Sequence, residues 1–162
     1  RRVLFRSYKH TGRAPSKEKP SEKYRTGYID ETYEPLYPFG YGLSYTQFEY
    51  GELSLDKEVI NNTEFLTASI TVTNKGTVDG KEIVQLYLRD VVGSVTRPLK
   101  ELKGYEKIYL KAGESKTVRF RITPEMLKFY NYNIEYVYEP GEFDVMVGCN
   151  SRDVQTKRFT LR

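Results

Sequence analysis

From Leu66 to Thr73 the chain alternates without a break. Leu66, Ala68, Ile70 and Val72 fall on one side, and Thr67, Ser69, Thr71 and Thr73 on the other. A period of two is that of a β-strand, and it gives one buried face and one wet face. Asn74-Lys75-Gly76 ends the strand, because Asn and Gly tolerate positive φ. The pattern recurs downstream. Val84, Leu86 and Leu88 alternate with Ile83, Gln85 and Tyr87, and Val118, Phe120 and Ile122 with Thr117, Arg119 and Arg121. Lys111–Glu114 reads as a tight connection, and Thr123-Pro124 as the start of a short helical turn through Phe129. Glu139-Pro140-Gly141-Glu142 is predicted to join a strand over Tyr132–Tyr138 to one over Phe143–Val147, with a last strand around Val154–Leu161. About eight short strands between Phe48 and Arg162, and no helical stretch long enough for a parallel βαβ unit, predict an all-β fold. An antiparallel β-sandwich with an irregular N-terminal extension is the expected architecture.

Upstream the texture changes. Residues 1–34 are polar and rich in Lys and Glu, with SKEKPSEK at 16–23 lacking any apolar period, so an exposed irregular segment is expected. Residues 35–47 form an aromatic junction, and the sandwich is assigned to 48–162. The run PLYPFGYGLSYT, from Pro35 to Thr46, is too broken by Pro35, Pro38, Gly40 and Gly42 to be a helix or central strand. It is also too aromatic for a solvated linker. Tyr37, Phe39, Tyr41, Tyr45 and Phe48 are therefore assigned to packing against a neighbouring domain. A sugar platform is the alternative for these rings, and the absence of Trp among 15 Tyr and 8 Phe weighs against it.

The net charge of +4 does not mark a nucleic-acid binder. Residues 1–45 hold nine Lys/Arg against five Asp/Glu, whereas 46–162 hold seventeen of each sign, so the whole excess lies before the strand-rich part, which is neutral. No apolar run approaches a membrane span. The single cysteine, Cys149, cannot form an internal disulfide and reads as a small core residue at a strand end.

Several segments in order resemble one family. TNKGTVDGKEIVQLYL at 73–88 resembles its turn and following Gly-Lys-Glu-x-Val-Gln-Leu-Tyr strand. RPLKELKGYEKIYLKAGESKTVRFRI at 97–122 is similar to its next strand pair, and EPGEFDVMVGCNSRDV at 139–154 to its last hairpin. PLYPFGYGLSYT resembles the junction before the fibronectin type III-like domain of glycoside hydrolase family 3 enzymes. YKHTGRAP at 8–15 resembles the Thr-Gly-Arg-Pro segment near the end of that family's second, α/β domain. The resemblance implies a fibronectin type III-like, immunoglobulin-type sandwich, preceded by a remnant of the α/β domain in 1–34. It implies a non-catalytic accessory domain of a retaining β-glucosidase or β-xylosidase, in a periplasmic or secreted protein. The implied partners are the upstream catalytic domains of the same polypeptide and, through them, a β-linked glycoside. RRVLFR at 1–6 departs from the family's apolar strand, and an artefact of cloning or sequence assembly is the expectation there.

Retaining glycoside hydrolysis needs two carboxyl groups about 5–5.5 Å apart. The resemblance puts both, the nucleophile and the acid/base, before Arg1, so no catalytic residue is assigned in this chain. Glu101, Glu106, Asp90 and Asp153 sit among Lys and Arg and read as solvated faces or surface pairs. His10 is the only histidine, which excludes a multi-histidine metal site and a catalytic triad; no cofactor is expected. Tyr130, Tyr132, Tyr136 and Tyr138 form a second aromatic cluster, and Asn61-Asn62-Thr63 is a glycosylation sequon. A free-standing carbohydrate-binding or cell-surface adhesion module is the rival reading of the whole.

Overall fold

The computed structural model describes residues 35–162. The readings placed on residues 1–34, including RRVLFR, the 8–15 segment and His10, lie outside the described residues. Eleven strands follow in chain order: β1 (Phe48–Tyr50), β2 (Ser54–Leu55), β3 (Val59–Ile60), β4 (Leu66–Asn74), β5 (Gly80–Asp90), β6 (Glu101–Leu110), β7 (Ser115–Ile122), β8 (Phe129–Tyr130), β9 (Tyr136–Val137), β10 (Gly141–Gly148) and β11 (Val154–Leu161). Four of them are only two residues long, which accounts for the excess over the sequence expectation.

Two sheets face each other. In the first, β4 lies between β7 on one side and β1 and β2 on the other. The second runs β3-β11-β10-β5-β6, antiparallel except for the short parallel pair of β3 with β11. The four apolar residues of β4 point inward and are buried, as their alternation requires. They meet Val84, Leu86 and Leu88 of β5, Phe143, Val145 and Val147 of β10, and Phe159 and Leu161 of β11 in one core. Phe143 and Phe159 stack with ring centroids 5.5 Å apart. Burial of such side chains is worth roughly 1.5–3 kcal/mol each, so the two facing rows supply the main stabilising term. On the wet face of the first sheet, Thr71 and Thr117 hydroxyls meet at 3.0 Å and those of Thr73 and Ser115 at 2.8 Å.

Connections follow local chemistry. Gly113 at φ +79° lets the chain leave β6 in one sheet and enter β7 in the other, closed by the Glu114 amide donating to the Lys111 carbonyl at 3.0 Å. Pro124–Leu127 forms one 3₁₀ turn with Pro at its first position, shorter than expected because Phe129 already belongs to β8.

Two segments depart from the sequence expectation. The first is β5, where the alternation predicts one wet face and Val84 through Leu88 are all buried. Gln85 is covered by the segment around Gly40, and the buried Tyr87 donates its hydroxyl to the Gln85 side-chain oxygen. The second concerns Tyr132–Tyr138, which is not a strand hairpinned to β10. Only Tyr136-Val137 pair, and they pair with Phe129-Tyr130. The intervening residues form a tight turn in which Ile134 takes φ 65°, incompatible with a strand.

Candidate interdomain interface

The aromatic junction is fastened to the sandwich by its backbone. The Tyr41 amide donates to the Pro38 carbonyl at 3.0 Å, closing a turn around Gly40 at φ +79°. Glycine is required here twice over, by that φ and by space. A Cβ at position 40 would lie 2.1 Å from Gln85 Oε1. The Gln85 amide donates to the carbonyls of Gly40 (3.2 Å) and Cys149 (2.6 Å), and its oxygen accepts from the Tyr87 hydroxyl. Beside it the Ser151 amide donates to the Phe39 carbonyl at 2.8 Å, and Arg152 Nη2 to the Pro35 carbonyl at 2.8 Å. Lys100 Nζ donates to the Ser151 carbonyl, and burial lowers its pKa.

A second fastening closes the other end. Asn74 is buried at the end of β4 and binds four groups with its side chain. Its oxygen accepts from Thr46 Oγ1 and from the Gly76 amide at 3.1 Å. Its nitrogen donates to the carbonyls of Val78 (2.9 Å) and Leu110 (3.2 Å). The Lys75 amide donates to Gln47 at 2.8 Å. Gly76 sits so close that a Cβ there would meet Thr46 Oγ1 at 2.1 Å.

Between these fastenings the side chains point outward. Leu36, Tyr37, Tyr41, Leu43 and Tyr45 are all exposed, Leu43 at 89% and Tyr45 completely. Tyr37 and Tyr41 lie 5.2 Å apart, tilted by 35°. Phe39 is half-buried, and Phe48 is half-buried on β1 against the sandwich's own core. The five rings named from sequence thus divide: Tyr37, Tyr41 and Tyr45 face outward from the domain, and Phe39 and Phe48 contact it. Leu36 and Leu43 belong with the outward group. Gln85 and Asn74, which hold the backbone still, were not singled out for this from sequence.

The acidic residues are arranged for structure. Glu101 is paired with Arg97 (2.9 Å) and Lys103 (2.8 Å), Glu106 with Lys116 (3.2 Å), and Asp153 accepts from Asn150 at 2.8 Å. Asp90 is partly buried near Arg97, and desolvation raises its pKa. Glu82 is also raised by burial, although the Tyr50 hydroxyl donates to it at 2.7 Å; burial first, and then the same contact, push the Tyr50 phenol upward. Cys149 lies just past β10, half-buried, its thiol raised by desolvation and thus poorly nucleophilic. No helix among the described residues is long and apolar enough to cross a membrane.

Residues 82–151 match the family model of the fibronectin type III-like domain. Over 158 residues the chain is 47% identical to a periplasmic β-glucosidase of Salmonella typhimurium, covering 98% of this chain and 20% of that protein. A β-xylosidase of Formosa agariphila is 46% identical over 130 residues, or 79% of this chain and 18% of its own length. A crystal structure of a β-glucosidase from Listeria innocua with glucose superposes with TM-score 0.86 at 44% identity, over 95% of this chain and 22% of that one. The chain spans about a fifth of the length of these relatives. Ordered strands, the matched domain and partial coverage of long glycosidases agree: the chain belongs to the fibronectin type III-like domains of glycoside hydrolase family 3 enzymes.

Proposed function

We infer that this domain fastens onto the catalytic domains of a larger retaining β-glucosidase or β-xylosidase, with residues 35–47 as the interdomain junction and 48–162 as the sandwich. One observation carries the reading: Tyr37, Tyr41, Tyr45, Leu36 and Leu43 are exposed on a segment tied to the sandwich by hydrogen bonds from Gln85 to the Gly40 carbonyl and from Thr46 to Asn74. A loop that displayed rings merely by being loose would not need two buried amides to fix it. Covering each ring against a neighbour would contribute roughly 1.5–3 kcal/mol before the loss of side-chain freedom. The domain would then preserve the geometry of an active site it does not touch. The periplasmic relative supports a periplasmic or secreted setting for the whole enzyme.

Truncation tests this. The parent enzyme cut before Pro35 is expected to lose thermal stability and, with it, β-glycosidase activity. Full stability and activity after the cut refute the fastening role. The rival carbohydrate-binding module predicts heat on titrating a glycan panel into the chain. The 35° tilt between Tyr37 and Tyr41 is a poor match to the flat face of a pyranose ring.

A further inference from the structure

The ribbon of β8 and β9 ends in a tip that is stiff, apolar and wet. Asn131 builds it. Its Oδ1 accepts from the amides of Asn133 (2.9 Å) and Glu135 (3.0 Å), and its Nδ2 donates to Glu135 Oε2 at 2.8 Å. Its own amide donates to the Glu135 carbonyl at 3.0 Å and its carbonyl accepts from the Ile134 amide at 3.1 Å. Those bonds hold Ile134 at φ 65°, a left-handed conformation that a β-branched residue resists. A strained residue persists where its surroundings over-determine it, and such strain concentrates at functional positions. What the turn holds out is Tyr132, 90% exposed, and Ile134, 81% exposed, above the Tyr130–Tyr136 ring pair at 5.0 Å.

We propose that this tip is a second docking knob, which inserts Tyr132 and Ile134 into an apolar concavity on another domain of the same polypeptide. The proposal rests on the accessory-domain reading above and extends it to a separate contact. The tip is convex and its leading side chains carry no charge, so its complement is a concave apolar protein surface. A sugar would instead stack on a flat ring ringed by free polar groups, and here Glu135 and Asn131 are already bonded to each other. The relatives supply the occupant's source, since about four-fifths of their length lies outside the matched segment. The junction sits by Gly148 and Ser151, whereas β8 and β9 sit toward the Asp90 and Phe143 end of the second sheet, where Arg97 covers the Phe129 ring at 4.3 Å. Two contacts at opposite ends would stop the sandwich pivoting about the junction.

The test reads unfolding midpoints of Ile134→Gly and Tyr132→Ser in the 162-residue chain and in the full parent enzyme. Glycine relieves the strained φ, so Ile134→Gly should leave the midpoint of the chain alone unchanged or higher. In the parent both variants should lower it by several degrees. Shifts of the same sign and size in chain and parent overturn the proposal, as do no shifts in the parent. A parent whose tip is protected from hydrogen exchange only after cello-oligosaccharide is added overturns it in favour of a glycan site. A Tyr45→Ser arm separates the two readings: a loss there with none at Tyr132 leaves the junction standing and removes the knob.

Discussion

Asn74→Ala removes the side chain that ties the junction to the sandwich. Four hydrogen bonds disappear at once, to Thr46, Gly76, Val78 and Leu110, all at a fully buried position. Each such bond contributes about 1 kcal/mol net, and stranded buried partners cost at least that, so the expected loss is about 3–4 kcal/mol. A domain of this size is stable by roughly 5–15 kcal/mol, so the variant should fold with a much narrower margin. In urea, at a slope of about 2 kcal/mol per M, the midpoint should fall by roughly 1.5–2 M, read by tyrosine fluorescence. Asn74→Asp is the informative companion. It keeps an acceptor for Thr46 and Gly76 but sets a buried negative charge against the carbonyls of Val78 and Leu110. Its carboxyl pKa should be raised in the folded state, so its stability should be recovered on acidification and lost as pH rises. A loss below about 1 kcal/mol for Asn74→Ala would refute the idea that this asparagine holds the two segments together.

Gly76→Ala should destabilise the domain by about 1–3 kcal/mol, because the new methyl would overlap Thr46 Oγ1, and thermal unfolding reads it. Gln85→Leu deprives the Gly40 and Cys149 carbonyls of their donor, costing about 2 kcal/mol. Its signature is local, namely faster hydrogen exchange at the Tyr41 and Ser151 amides, with β4 amides slowed as before. Glu82→Gln should alter pH dependence. Burial raises the Glu82 pKa above its ordinary 4.5, so the native domain loses stability as pH rises from there through the folded value. Glutamine still accepts from Tyr50 and should abolish that segment of the pH profile, leaving the variant at least as stable as the parent sequence at pH 7.

Legibility from sequence follows how local each determinant is. β4 could be read because every residue that fixes its two faces lies within the strand. β5 could not, since Gln85 is buried by a segment 45 residues earlier whose carbonyl happens to point at the Gln85 amide. Asn74 carried a turn signal, and it does end a strand. Its larger role depends on Thr46 and Leu110, 28 and 36 residues away, which no local pattern reports. Tyr37, Tyr41 and Tyr45 stand out in the sequence as part of a Pro- and Gly-broken aromatic run, and the structure places all three side chains in solvent. The strand expected over Tyr132–Tyr138 failed on one residue, as nothing in the type Ile announces a left-handed backbone; the cue was Asn131, whose side chain organises such turns.

Hydroxyl-radical footprinting of Tyr45 in the full parent enzyme, set against the 162-residue chain, bears most directly on the junction. The side chain is wholly exposed in the domain alone. Strong protection of Tyr45, with Tyr41 and Tyr37, in the intact enzyme is the predicted result. Oxidation at the rate of a free tyrosine in both would mean that no neighbouring domain covers it.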